Sequence, residues 1–124
     1  NTSHKCVQKD GMGELLNKMV EADVIVLATP VYFYSMDGQL KTFIDRTVPR
    51  YNEIFDKDFY FIITAADTSH KNMQRTLEAL RGFTADCLDG AREKGIIYGT
   101  GAWQKGEVKN LPVFQEAYEA GKNC

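Results

Sequence analysis

The segment Asp23-Val-Ile-Val-Leu-Ala-Thr-Pro30 is a continuous run of apolar and β-branched residues that ends at a proline. β-Branched side chains favour the strand conformation, and a run without polar alternation is typical of a strand buried on both faces. Such strands occur in parallel sheets that helices cover on both sides. Two further runs, Phe59-Tyr-Phe-Ile-Ile-Thr-Ala-Ala66 and Ile96-Ile-Tyr-Gly99, predict a second and a third strand.

Four amphipathic stretches flank and separate these three strands. Apolar residues recur at helical spacing in residues 10–22, 35–48, 73–91 and 110–118. The regular alternation of helix and strand predicts an α/β fold with a parallel sheet and right-handed crossovers. No composition break divides the chain, so residues 1–124 are expected to form a single domain.

Residues at the ends of the amphipathic stretches predict the helix boundaries. Asp10, Ser35 and Asn110 are expected N-caps, because short polar side chains accept hydrogen bonds from the free N–H groups of a first turn. Lys94-Gly95 is expected to end the third helix. The residues of the fourth helix expected to face inward are Phe114, Ala117 and Tyr118.

Composition and charge exclude several classes of protein. A hydrophobic content of 44% is too high for a disordered chain. The net charge of −2 provides no basic surface for nucleic acid. The apolar runs are far shorter than the roughly 20 residues that cross a bilayer, so no membrane partner is expected.

The three cysteines, Cys6, Cys87 and Cys124, are odd in number and widely spaced. A disulfide framework would use an even and denser set, so separate thiols in a reducing, cytoplasmic compartment are expected. No paired cysteine or histidine motif completes a zinc site, and no metal is expected.

Ligands of parallel α/β sheets bind beyond the carboxyl ends of the strands, which here means residues 30–36, 66–71 and 99–106. The first of these loops carries three consecutive aromatic residues, Tyr32, Phe33 and Tyr34. Three adjacent side chains cannot all face inward, so some are expected to contact a flat, partly apolar ligand or a partner subunit. A hydrophobic plug over the end of the sheet is the alternative.

The other two loops carry no recognisable catalytic motif. His70 is read as a surface histidine, because no paired carboxylate or nucleophile is near it in sequence. Residues 99–106 lack the spacing of a phosphate-binding loop and are read as turn glycines beside a packed Trp103. Lys41 and Asp45 are spaced for an ion pair on a helix. A binding crevice without a catalytic side chain fits an enzyme whose chemistry belongs to a cofactor.

Two motifs carry a family resemblance. Thr29-Pro-Val-Tyr-Phe-Tyr-Ser-Met36, followed by Gln39-Leu-Lys-Thr-Phe-Ile-Asp-Arg46, resembles the signature of flavodoxin-like NAD(P)H-dependent FMN reductases, which are related to iron–sulfur flavoproteins. Residues 5–12 and the segments 105–110, 117–118 and 121–123 agree with the same pattern. The resemblance implies a doubly wound sheet of strand order 2-1-3-4-5, with FMN bound at the switch point between strands 1 and 3 of that order.

The function that the resemblance implies is an FMN-dependent oxidoreductase that passes electrons from NAD(P)H to a small acceptor, in a homodimer or larger homo-oligomer. The alternatives are an electron-carrier flavoprotein, including one of the iron–sulfur type, or a fragment with no activity of its own. No side chain needs to act as a general base. The residues implied to bind the cofactor are Thr29, Pro30, Val31, Tyr32, Phe33, Tyr34, Ser35, Ala66 and Asp67.

The sequence departs from the family pattern at its start. The strand, phosphate loop, helix and second strand that open the family fold have no counterpart, so an incomplete, three-stranded C-terminal portion of the domain is expected. The strand at 23–30 would then be an unpaired apolar edge, and the chain is expected to bind FMN weakly or to aggregate. Cys6 matches the last cysteine of an iron–sulfur cluster motif, but a single thiol cannot hold a cluster.

Overall fold

The computed structural model describes residues 8–124, in which four helices alternate with the strands of one sheet. The helices are α1 (Met12–Glu21), α2 (Gly38–Asp45), α3 (Gln74–Thr84) and α4 (Pro112–Lys122). The strands are β1 (Val24–Tyr32), β2 (Ser35–Met36), β3 (Asp58–Ala65) and β4 (Arg92–Thr100). Short 3-10 helices cover Tyr51–Glu53, His70–Met73 and Glu107–Asn110.

The strand order is β2-β1-β3-β4. β1, β3 and β4 are parallel, which confirms the α/β fold expected from the sequence. β2 is an unpredicted two-residue strand that pairs antiparallel with the end of β1. The carboxyl ends of the three parallel strands therefore lie together at one edge of the sheet.

The core forms around β3, in which every second side chain is buried. Phe59, Phe61 and Ile63 are each 0% exposed. They cluster with Leu27 of β1 and with Leu80 of α3. Burying a large apolar side chain contributes about 1.5–3 kcal/mol, so this face is the main source of stability.

β1 is less well covered than β3. On the side away from β3, only Val31 and Tyr32 of β1 pair with another strand, which is β2. Within residues 8–124 the rest of this side of β1 is therefore an unpaired edge of the sheet. Val26 is 51% exposed, and Ala28 is also exposed.

Two boundaries near β1 differ from the sequence prediction. The strand does not stop at Pro30 but continues to Tyr32, because proline is tolerated in a strand at the edge of a sheet. Ser35 does not cap α2 but lies in β2. The N-cap of α2 is Asp37, whose carboxylate accepts hydrogen bonds from the N–H groups of the first turn.

The third helix is shorter than predicted, and the strand after it is longer. α3 ends at Thr84, and β4 begins at Arg92 rather than at Ile96. The turn between them uses Gly90, whose φ is +66° and which lies against Asp56. The first residues of β4 are charged, so they do not show the apolar pattern that predicts a strand. Arg92 is accommodated there because it pairs with Asp58 at an exposed position of the sheet.

The last helix packs on β4 with a different face from the one predicted. Phe114 and Tyr118 are 48% and 63% exposed, whereas Ala117 is half-buried as expected. Leu111, rather than Asn110, is the N-cap, and Pro112 occupies the first turn. No helix within residues 8–124 has the length and apolar character needed to cross a membrane.

Candidate functional site

The site predicted at the end of β1 is a tight hairpin between β1 and β2. Tyr32 pairs with Ser35, so Phe33 and Tyr34 form a two-residue loop. Their φ angles are +49° and +63°. Positive φ at both central positions is the pattern of a type I′ turn, which Asn-Gly normally supplies. Two aromatic residues in this conformation are strained, and such strain is typical of functional sites.

The three aromatic rings of this hairpin, which we call the aromatic turn, point away from the core. Tyr32 is 62% exposed, Phe33 is fully exposed at 103%, and Tyr34 is 52% exposed. This exposure excludes the hydrophobic plug and leaves the ligand or partner interpretation. The chain therefore displays a large aromatic surface at the carboxyl end of its sheet.

A hydrogen-bonded joint beneath the aromatic turn fixes its position. Thr29 is 2% exposed, and its hydroxyl accepts a hydrogen bond from the Asp37 N–H at 3.0 Å. The Asp37 carboxylate accepts from the N–H groups of Leu40 and Gln39 at 2.9 and 2.8 Å. The bond from Leu40, together with those from Thr29 and Gln39, holds the pKa of Asp37 below its ordinary value of 3.8. The joint ties the end of β1 to the start of α2.

Two cavities flank the aromatic turn. The larger, about 390 Å³, lies between the ends of β1, β3 and β4, and the smaller, about 230 Å³, lies between the turn and the loop after β3. Both are lined by Val31, Ala65 and Ala66. Seven of the nine predicted cofactor residues line one cavity or both: Pro30, Val31, Tyr32, Phe33, Tyr34, Ala66 and Asp67. The other two, Thr29 and Ser35, line neither; Thr29 is buried in the joint instead.

The loop after β3 brings a fixed carboxylate to the smaller cavity. Asp67 accepts hydrogen bonds from the Ser69 N–H at 2.7 Å and from the Asn72 amide. The bond from Ser69, and then that from Asn72, holds the pKa of Asp67 below its ordinary value of 3.8. The carboxylate is therefore charged at neutral pH and turned toward its own loop.

The loop after β4 completes the larger cavity with residues that were not among the predicted cofactor residues. Gly99, Ala102 and Val108 line it beside Thr64. A Cβ at Gly99 would lie only 3.0 Å from a methyl group of Thr64, so a larger residue there would push this side chain aside. These residues are small or apolar, and their position at a strand end was the only signal in the sequence.

Trp103 is not packed as the sequence analysis expected but is 77% exposed. Its loop turns at Gly101 and Gly106, whose φ angles are +79° and +86°, so the expected turn glycines are confirmed. Glu107 closes the loop by accepting hydrogen bonds from the N–H groups of Gln104 and Trp103. These hydrogen bonds are made by the backbone of Gln104 and Trp103, so the indole ring takes no part in closing the loop.

A larger cavity, about 600 Å³, lies between α1, α2 and the open side of β1. Its walls include Met12, Leu40 and Phe43, but none of the three rings of the aromatic turn. We assign the site to the two smaller cavities, because ligands of parallel sheets bind at the carboxyl ends of the strands.

Further predictions concern the histidine, the ion pair, the cysteines and a metal site. His70 is exposed as expected, and its ring stacks on Tyr98 with the centroids 4.6 Å apart. Lys41 and Asp45 form the expected ion pair. Cys87 and Cys124 are free thiols, whereas Cys6 lies outside the described residues. Residues 8–124 contain no cluster of ligands suited to a metal ion.

The site suits a flat, partly apolar ring system. The aromatic turn supplies exposed rings, and Ala65, Ala66 and Gly99 leave room for close approach to the backbone. Apart from the tyrosine hydroxyls and the Asp67 carboxylate, the residues lining the two cavities offer contact surface rather than acid or base groups.

Comparisons with known proteins agree with this description. A sequence model of the family described as NADPH-dependent FMN reductase matches residues 1–91. An iron–sulfur flavoprotein of Archaeoglobus fulgidus is 49% identical over 45 residues, which are 36% of this chain and 20% of that protein. The chain thus matches about a fifth of the length of this curated relative.

Solved structures show the same fold. The structure of Trp repressor binding protein from Bacillus subtilis superposes with a TM-score of 0.71 at 20% identity, covering 81% of this chain and 68% of that one. An FMN-dependent NADH-azoreductase from Bacillus anthracis, in complex with FMN, gives 0.66 at 19% identity, covering 90% and 60%. At these identities the likeness shows the fold alone, which is the expected flavodoxin-like doubly wound α/β fold.

Proposed function

The chain belongs to the NADPH-dependent FMN reductase family, and from this premise we propose that it is an FMN-dependent oxidoreductase that passes electrons from NAD(P)H to a small acceptor. The observation that carries the proposal is the exposed aromatic turn, which stands between two cavities at the carboxyl ends of parallel strands. That is where the fold presents a ligand site.

The residues at the site fit the ring of FMN. Tyr32 and Phe33 offer exposed aromatic faces, and Val31 and Ala66 line both cavities with small apolar surface. When bound, FMN would supply the redox chemistry, which is hydride transfer from NAD(P)H and delivery of two electrons to the acceptor. The chain's own residues would bind the ring, orient it and exclude water from one side.

The joint between Thr29 and Asp37 gives this site rigidity. Because Thr29 is buried and bonded to the N-cap of α2, the backbone on both sides of the aromatic turn is held by the core. A preorganised site loses less entropy on binding than a mobile one. Thr29 therefore supports the ring site without touching the ligand.

Titration with FMN, followed by quenching of flavin fluorescence, tests the ring site. We expect Phe33→Ala and Tyr32→Ala each to weaken binding about three- to tenfold, because each removes one aromatic contact. Phe55→Ala is the matched control, since Phe55 is 54% exposed and lines neither cavity. The ratio between variants is informative even when the affinity of the chain is low.

Equal binding of FMN by the site variants and the control would contradict the proposal. A second assay then tests the reaction: NAD(P)H is incubated with the chain, FMN and a small quinone, and its oxidation is followed by absorbance. Oxidation that depends on both chain and FMN supports the reductase. Flavin binding without NAD(P)H oxidation would favour an electron carrier instead. The expected homo-oligomer stays a prediction, to be checked by light scattering.

A further inference from the structure

A further cleft, about 330 Å³, lies beside the aromatic turn and carries positive charge. It is lined by Tyr34, Lys71, Asn72 and Arg75. Tyr34 and Asn72 also line the smaller cavity of the candidate site, so the two spaces adjoin. These residues are distant in sequence, because Tyr34 follows β1 whereas Lys71 and Arg75 follow β3.

Arg75 differs from the other arginines of the chain. All five arginines lie within residues 8–124, and four of them form ion pairs with carboxylates: Arg46, Arg50, Arg81 and Arg92. Arg75 forms none with the described residues; its guanidinium carbon instead lies 5.3 Å from the centre of the Tyr34 ring. A guanidinium held over an aromatic face keeps its N–H donors free for an anion.

Lys71 adds a second cation to the same cleft. Its ammonium group forms no ion pair within the described part of the chain, and its side chain is exposed. The nearest described carboxylate in the loop, Asp67, is turned toward the Ser69 N–H and the Asn72 amide. Two unpaired cations and an amide around one cleft match the chemistry of a phosphate group.

We propose that this cleft binds a phosphate group of the nicotinamide dinucleotide, with Arg75 as the bidentate donor and Lys71 as a second charge. The proposal rests on the proposed function, since it places the co-substrate beside the candidate flavin site. Arg75 would then link the two ligands, because the same side chain contacts Tyr34 of the aromatic turn.

Calorimetric titration of the chain with adenosine, ADP and adenosine 2′,5′-bisphosphate tests the cleft without any flavin. We expect the phosphorylated nucleotides to bind more tightly than adenosine, and Arg75→Ala to weaken them about tenfold. Lys71→Ala should weaken them about threefold, and Arg75→Lys should fall between Arg75→Ala and the unaltered chain, because lysine keeps the charge but not the fork. Lys122→Ala, an exposed charge outside the cleft, is the control.

The pattern across the ligands identifies the phosphate. If Arg75→Ala lowers the affinity for ADP and for the bisphosphate equally, the cleft binds the pyrophosphate. If it lowers the affinity for the bisphosphate alone, the cleft binds the 2′-phosphate, and the protein prefers NADPH. The proposal is overturned if adenosine binds as tightly as ADP, or if Arg75→Ala binds all three like the control. It is also overturned if Arg75→Ala weakens FMN relative to riboflavin but leaves ADP binding unchanged.

The nucleotide titration and the flavin titration can succeed or fail independently of each other. Nucleotide binding that depends on Arg75, in a chain whose FMN binding ignores Phe33, would retain this cleft and reject the ring site. The reverse result would retain the ring site alone. Thermal melting of each variant checks that the exposed substitutions leave the fold intact.

Discussion

Aromatic residues occupy two opposite environments in this protein. Phe59 and Phe61 of β3 are 0% exposed, whereas Tyr32, Phe33 and Tyr34 at the end of β1 are between 52% and 103% exposed. In β3 the alternation of the strand places every second ring in the core. In the aromatic turn, positive φ angles direct consecutive rings outward. The same residue type therefore stabilises the fold in one region and forms a candidate binding surface in the other.

The difference lies in what each ring contacts. The rings of β3 touch side chains of the sheet and α3, so their removal leaves a cavity. The rings of the aromatic turn border cavities that open to solvent, so their removal leaves none. Stability and binding should consequently respond to different substitutions.

Phe61→Ala should have the largest effect. We expect it to lower the free energy of unfolding by about 3–5 kcal/mol, because the side chain is fully buried. Urea denaturation followed by circular dichroism measures the loss. Phe33→Ala is the comparison and should stay within about 0.5 kcal/mol of the unaltered chain. Similar losses in both variants would remove the distinction between the regions.

Thr29→Val tests the joint that connects the two regions. We expect a loss of about 1–2 kcal/mol, because the Asp37 N–H would lose its buried acceptor. The same denaturation assay applies, with Thr68→Val, at an exposed loop position, as the control. An unchanged midpoint for Thr29→Val would show that the aromatic turn is not anchored in this way.

Phe33→Gly tests whether the ring of Phe33 contributes to binding without contributing to stability. Glycine adopts a φ of +49° without strain, so the free energy of unfolding should stay constant or rise by up to about 1 kcal/mol. Flavin binding should weaken in the same variant, because the ring is lost. A substitution that preserves the fold and impairs binding would separate the two roles within one residue. A clear loss of stability would instead assign Phe33 to the fold.

The smallest expected effect is the response of the joint to acid. The pKa of Asp37 is lowered in the folded chain, so its contribution to stability is complete above the ordinary value of 3.8 and is lost as the pH falls through the lower folded value. Carbon-detected NMR should therefore give Asp37 a pKa below 3.8. Amide exchange at Gln39 and Leu40 should rise in that range before exchange in β3. A pKa at or above the ordinary value would contradict the cap.

Much of the fold followed from periodicity, and the exceptions have physical causes. The runs that became β1 and β3 were readable because they are apolar throughout. The start of β4 was missed because Arg92 is charged, and its ion pair with Asp58 exists only in the folded sheet. β2 was missed because an aromatic pair replaces the usual Asn-Gly of its turn.

The candidate site was predictable as a location more than as a set of contacts. Parallel topology alone placed it at the strand ends, and the aromatic turn marked the first loop. The contacts of Thr29 could not be predicted, because nothing in the sequence shows that its hydroxyl bonds to Asp37, 8 residues further along the chain. Arg75 could not be associated with Tyr34, since only the folded sheet brings their elements together.

The two-residue loop between β1 and β2 has a further consequence for how the protein could be altered. Its geometry is set by the pairing of Tyr32 with Ser35, while the side chains at Phe33 and Tyr34 contribute nothing to the core. Residues 33 and 34 can thus be replaced together by other pairs that accept positive φ, without changing the strands on either side. Ligand preference at this edge could then change in one step, with the rest of the domain unaltered.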